Sequence, residues 1–145
     1  MHWNKAEKVQ KNAIQEAMNC KDISFLFQPI NFSSAWENCA VAICSIDDDR
    51  LEKHLKEMFE WLQDINWPGA LTIVKRLYHF NKKSVSSYYK EAVEKSLTSE
   101  YDGWTDYLSV FIKKKLFSSA LNESQIKLLE HCYEDFGWLE SDVEY

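Results

Sequence analysis

Three stretches of the chain open with a tryptophan and then repeat one spacing of apolar residues. From Trp36 the stripe runs Cys39, Ala40, Ile43 and Cys44; from Trp67 it runs Ala70, Leu71, Val74, Leu77 and Tyr78; from Trp104 it runs Tyr107, Leu108, Phe111 and Ile112. The i, i+3, i+4, i+7 pattern puts these groups on one side of a helix. After each comes a polar break, at residues 45–49, 81–84 and 118–124, and then a second stripe. The second stripes are Leu51, Leu55, Met58, Phe59 and Leu62; Val85, Tyr88, Tyr89 and Ala92; and Ile126, Leu129, Tyr133 and Phe136. Helix, turn, helix is thus predicted three times over residues 33–137. The tryptophans lie 31 and 37 positions apart, a period at which helix pairs stack because one pair alone cannot bury both its faces.

The ends of the chain follow a different pattern. Residues 4–19 predict a helix and residues 22–28 a short one ended near Pro29, so residues 1–32 are expected to cap the stack. Residues 138–145 are expected as an acidic tail. The fold class is therefore all-α, a single domain built as an α-α superhelix of helix pairs, with a helical bundle as the alternative. Cap signals support the boundaries: Ser34 and Glu37 form an S-x-x-E box before the Trp36 stripe, and the run from Asn122 to Gln125 precedes the Ile126 stripe. Pro68 is expected in a first helical turn, where its missing N–H has no helical partner.

Composition agrees with helices. Three Gly and two Pro in 145 residues are few for the turns that many short strands require, and an aromatic content of 14% indicates a packed core. The opening residues go straight into charged positions without an apolar targeting segment, and no uncharged apolar run could cross a bilayer. A cytoplasmic protein without a membrane partner is expected. Cys20, Cys39, Cys44 and Cys132 have no C-x-x-C spacing, and the last three fall on or beside apolar stripes, so buried thiols are expected.

The net charge of −6 is unevenly placed. Residues 128–145 hold Glu130, Glu134, Asp135, Glu140, Asp142 and Glu144 and no Lys or Arg, whereas residues 1–127 hold 17 basic and 17 acidic side chains. Such a segment can steer a basic partner, or serve solubility. The basic clusters, Lys82-Lys83 and Lys113-Lys114-Lys115, read as solvated helix ends, the triple lysine lying in the last turn of its helix. Nucleic acid is not an expected partner.

Candidate chemistry is sparse. His54, Glu57 and Glu60 share a helix, but H-x-x-E-x-x-E lacks the second His of a zinc-binding helix. Neither a phosphate-binding glycine loop nor a nucleophile elbow occurs. No metal, no cofactor and no enzymatic activity are expected. The polar residues that stand out are Glu60, Trp61, Gln63, Asp64, Asn66 and Trp67 at the corner between two helix pairs. They form a candidate partner or ligand surface. In the structural alternative, Gln63, Asp64 and Asn66 satisfy helix-end groups while Trp61 and Trp67 fill the seam.

The corner string Trp61-Leu62-Gln63-Asp64-Ile65-Asn66-Trp67-Pro68-Gly69-Ala70, with Trp36-Glu37-Asn38-Cys39-Ala40 and Leu55-Lys56-Glu57-Met58-Phe59-Glu60 before it, resembles a bacterial family of small helical-repeat proteins of unknown function. The likeness spans about residues 33–117. It implies a HEAT-like superhelix and an association with secreted-toxin loci, where small cytosolic proteins act as immunity factors. It carries no catalytic residues. A protein-binding module, concretely an immunity protein that neutralises a toxin, is the expected function. A small-molecule binder or enzyme using a pocket at the Trp61–Trp67 corner, or a scaffold subunit, is the alternative.

Overall fold

The computed structural model describes residues 2–29 and 33–144; the ends of the expected segments at Met1, residues 30–32 and Tyr145 lie outside the described residues. Among the described residues every regular element is a helix or a 3₁₀ turn. The first is α1, His2–Asn19, followed by a single 3₁₀ turn, Ser24–Leu26, where a short helix was expected.

The first predicted pair comprises α2 (Trp36–Cys44) and a second segment broken into α3 (Asp48–Leu51), a 3₁₀ turn (Glu52–His54) and α4 (Leu55–Glu60). Its stripe holds across the break, since Leu51, Leu55, Met58, Phe59 and Leu62 are all fully buried. The second pair is α5 (Ala70–Tyr78) and α6 (Val85–Ser96). The third is more fragmented: α7 (Trp104–Leu108), a 3₁₀ turn (Ser109–Phe111), α8 (Lys115–Ser118) and α9 (Glu123–Phe136). A further helix, α10 (Trp138–Val143), occupies the segment expected as an acidic tail.

Packing assembles these into an all-α bundle. Helix α2 lies on α5 and α4 on α6, so equivalent helices of the first two pairs are neighbours. The third pair departs from that arrangement. Helix α7 packs on α6, α9 and the 3₁₀ turn Trp61–Gln63, and α10 packs along α5. At the centre, Phe59, Tyr89, Phe111 and Phe117 interlock edge to face, with Phe111 and Phe117 stacked at 4.8 Å between centroids. Buried aromatic polar atoms are satisfied by backbone, as desolvation demands: the Tyr89 hydroxyl donates to the Leu108 carbonyl at 2.5 Å and the Trp104 indole to that of Phe59 at 3.0 Å.

The cap signals divide. Asn122 and Gln125 form the predicted reciprocal box at the start of α9, each side chain accepting from the other's backbone N–H. The Ser34–Glu37 box does not form. Ser33–Ala35 enter α2 as a 3₁₀ turn, which removes the extended N-cap geometry a box requires, and Glu37 instead accepts from the Thr72 hydroxyl of α5 at 3.1 Å. Pro68 lies two residues before α5, not in its first turn, because Gly69 is the N-cap. The lysines also differ from expectation, since the chain turns after Phe111. Lys114 sits 4.2 Å over the Tyr78 ring and donates to the Tyr78 carbonyl, while Lys113 lies 5.1 Å over Tyr133. Cation–π contact and packing, not a helix terminus, place them.

Candidate functional site

The corner between the first two pairs is built by residues that mostly face inward. Trp61 is fully buried; its indole N–H donates to the Pro68 carbonyl at 3.0 Å, and its ring meets Trp36 edge to face at 6.1 Å. Asp64 accepts from the Asn66 amide at 2.8 Å, while its own carbonyl accepts from the Trp67 amide, closing the turn. Gly69 adopts φ +85°, and a Cβ there would lie 2.8 Å from the Ala40 Cβ and 2.9 Å from the Trp36 carbonyl. Only glycine allows the two pairs to approach this closely with that backbone. Trp67 is half-buried between Trp36 and Tyr101. Glu60 and Gln63 are half-buried, and Asn66 is exposed. Of the six candidates, then, Trp61, Asp64 and Trp67 build the corner, and Asn66 is the exposed one.

Asn66 and its neighbour Ile65 reach a feature that the periodicity did not indicate. With Leu71, Tyr107, Phe136, Trp138 and Leu139 they line a hollow of about 200 Å³ between α5 and α10. A second hollow of about 230 Å³ on the other side of Leu71 is lined by Thr72, Lys75, Asp142 and Val143. Leu71 is 53% exposed and Trp138 62%. The stripe from Trp67 assigned Leu71 to the buried face, and Trp138 stood inside the segment read as a tail. A tryptophan surrounded by acidic residues was the available signal.

The six acidic candidates separate by geometry. Glu130, Glu134, Asp135, Asp142 and Glu144 are exposed. Glu140 is half-buried and accepts from the Tyr78 hydroxyl at 2.8 Å and from the Tyr133 hydroxyl. That carboxylate, with burial as the lesser cause, pushes the Tyr133 phenol up to about 12. At Tyr78 burial leads and Glu140 adds to it, again raising the phenol. Glu140 is thus a structural acceptor holding α10, and the other five remain available as surface charge.

Residues 37–141 match the model of a family described as a domain of unknown function, DUF5071. The chain belongs to this family. No curated protein and no solved structure matches it. The DUF5071 span takes in the corner, α5, and α10 as far as Ser141, so both walls of the two hollows lie largely within it.

The remaining candidate chemistry is dispersed. Among the described residues no group of three or more His, Cys, Asp or Glu side chains is placed to hold a metal ion. Cys39 and Cys132 are half-buried free thiols, whereas Cys20 and Cys44 are exposed, so the expected burial fails at Cys44; its thiol lies 3.7 Å from the Thr72 carbonyl. Burial, aided by the Asp106 carboxylate, pushes the Cys132 thiol up to about 11.

His54 is 8% exposed and stacked on Phe27 at 4.5 Å, and its Nε2 has no hydrogen-bond partner. Burial lowers its pKa, with Glu57 and Asp22 partly opposing and Lys53 adding to the shift. The unfolded ring takes up a proton near pH 6.5, roughly its ordinary value, while the folded ring refuses it until lower pH. Stability is therefore expected to fall as pH drops below that value, down to the folded pKa. In His54→Phe this slope should shrink, and stability at neutral pH should not decrease, because an unpaired buried nitrogen is removed. Urea midpoints at neutral and mildly acidic pH, compared between the two proteins, measure both effects. An identical slope would mean that His54 titrates normally in the native state.

Proposed function

We propose that this DUF5071 chain is a non-catalytic protein-binding module, concretely an immunity-type protein that neutralises a toxin in the cytoplasm. The supporting observation is the apolar face formed by Leu71 and Trp138, both more than half exposed, over the hollows between α5 and α10. Apolar surface of this kind is unfavourable in water and favours burial against a partner, most of all where a tryptophan projects from it. The packing of α2 on α5 and of α4 on α6 also supports reading the first two pairs as the start of a HEAT-like superhelix, whose open surface suits protein recognition.

A small-molecule pocket at the Trp61–Trp67 corner has less support, since the Trp61 indole and the Asp64 carboxylate are engaged internally. Catalysis by Cys132 is disfavoured on physical grounds: a thiol pushed up to about 11 stays protonated at neutral pH and is a poor nucleophile.

The test is co-expression of the tagged full chain with the products of the genes adjacent to its own. One protein should co-purify as a defined complex, and growth arrest caused by that protein should be relieved. A variant with Cys20, Cys39, Cys44 and Cys132 all changed to Ser should retain the complex. Recovery of a metabolite with no protein partner would overturn the proposal.

A further inference from the structure

We propose that residues 2–29 form a strap over α2 latched by His54, so that protonation of that ring lets the strap lift while the body of the fold, residues 37–141, stays folded. This device needs no partner and is independent of the binding reading. The strap precedes the DUF5071 span, and α1 and the 3₁₀ turn Ser24–Leu26 both pack on α2. Three contacts fasten it. The Arg50 guanidinium donates to carbonyls at the end of α1, to that of Met18 at 2.7 Å and to that of Cys20. His54, four residues further along the same segment, stacks on the Phe27 ring at 4.5 Å between centroids. The Trp36 indole donates to the Pro29 carbonyl at 3.1 Å.

The docked strap is held at some cost. A hollow of about 230 Å³ lies between α1 and α2, lined by Ile14, Ala17, Phe25, Leu26, Cys39 and Ala42 among others, and dispersion contact is forfeited across it. Among the described side chains of α1, Ile14, Ala17 and Met18 are half-buried and none is fully buried, and residues 19–22 are exposed. Ile23 and Leu26 supply the buried anchor. Beside that anchor the Nε2 atoms of His54 and Gln28 are buried without hydrogen-bond partners, and Gln28 holds a left-handed φ of +48°. Unpaired nitrogens and a disfavoured backbone are both relieved when the segment lifts, which is the condition for local rather than global opening.

Protonation adds to that cost. A charged imidazole carries two donors, and Nε2 has no acceptor, so the ring takes up a proton more readily once it reaches water. Burial is the largest influence opposing the charged ring in the docked state; Glu57 on α4 and Asp22 on the strap favour the charge, and Lys53 opposes it. Asp22 is itself occupied in accepting from the Ser24 amide at 3.0 Å. Because the docked ring is the one that resists the proton, docking is strongest above about pH 6.5. It weakens by up to about tenfold per pH unit below that, until the docked ring also protonates.

The test compares indole N–H groups of the full chain, which share one intrinsic exchange chemistry. Trp36 reports the strap through the Pro29 carbonyl; Trp61 and Trp104, bonded to the Pro68 and Phe59 carbonyls, report the body. Hydrogen exchange followed by NMR should show the Trp36 rate, relative to that of Trp104, rising by about three- to eightfold from about pH 7 to about pH 5.5. His54→Phe should remove the rise. Arg50→Ala, which frees the end of α1 without touching a group that titrates in this range, should raise the ratio at both pH values and keep the rise. Glu57→Gln, at an exposed position, removes a charge that favours the protonated ring and should move the rise to lower pH; it decides the matter where His54→Phe does not fold. A ratio independent of pH would overturn the latch, as would a rise that persists in His54→Phe or does not move in Glu57→Gln. Equal acceleration of all three indoles would mean that the chain opens as a whole, and would overturn the strap.

Discussion

Trp61→Ala is expected to lower stability by about 3–5 kcal/mol, in the range for truncating a large buried aromatic. The ring is fully enclosed and packs against Trp36; beneath Gly69 it fills the space that the missing Cβ leaves open. Its removal opens a cavity where two helix pairs meet, and the positive φ of Gly69 limits how far the backbone can collapse into it. Loss of the indole donor adds the smaller cost of one hydrogen bond, the one to the Pro68 carbonyl. Against a total stability of roughly 5–15 kcal/mol, the substitution removes a large fraction. Trp67→Ala, at a half-buried ring edge-on to Trp36 and Tyr101, should cost less, about 1–2 kcal/mol. Urea unfolding midpoints of the two variants test the ranking. A change within about 0.5 kcal/mol for Trp61→Ala would mean that the corner is not packed around that ring.

That ranking shows what the sequence disclosed and what it did not. Periodicity identified the stripes because burial enforces it. Ala70, Val74, Leu77 and Tyr78 are buried on α5 as predicted, and all five positions of the Leu51 stripe are buried. Periodicity also assigned Leu71 and Cys44 to the same faces, and both are exposed. A stripe defines an angular sector of a helix but not how far its neighbours extend along it. Pro68-Gly69 is the local signature of a type II turn, and the turn closes from the Ala70 amide to the Trp67 carbonyl with Gly69 at positive φ, but which of the two tryptophans is enclosed was set by packing between the helix pairs and was not legible from the string. Trp138 and Leu71 come together across the fold although they are far apart in the chain, so their hollow was legible only once α10 was seen along α5. The acidic bias of the C-terminal segment was visible from composition, but not that Glu140 would be drawn to two tyrosines.

The second large effect concerns that segment. Truncation after Gly137 is expected to destabilise the protein by about 3 kcal/mol or more, even though it removes three of the six acidic groups responsible for the excess charge. Leu139 and Val143 are only 2% and 3% exposed, and full burial of side chains of this size stabilises by about 1.5–3 kcal/mol each before ordering entropy is set against it. Truncation also leaves the hydroxyls of Tyr78 and Tyr133 without the Glu140 carboxylate, and His79 without the Val143 carbonyl 3.1 Å from its Nε2. Leu139→Ala alone should cost about 2–4 kcal/mol. Glu140→Gln should cost about 1–2 kcal/mol, because an amide is a weaker acceptor and brings a donor that must find its own partner. By contrast, Asp142→Asn and Glu144→Gln, at exposed positions, should stay within about 0.5 kcal/mol. Apolar burial therefore outweighs charge in what α10 contributes, and deletion of the segment cannot test steering of a basic partner, since it would remove packing and charge together. Neutralising Glu130, Glu134, Asp135, Asp142 and Glu144 while keeping Glu140 separates the two roles. It should leave the thermal midpoint nearly unchanged and slow association at low salt, with a smaller effect on dissociation. A truncated chain as stable as the full one would mean that α10 does not dock on α5 in solution, and an unchanged association rate in the five-fold neutralised chain would remove steering while leaving the helix in place.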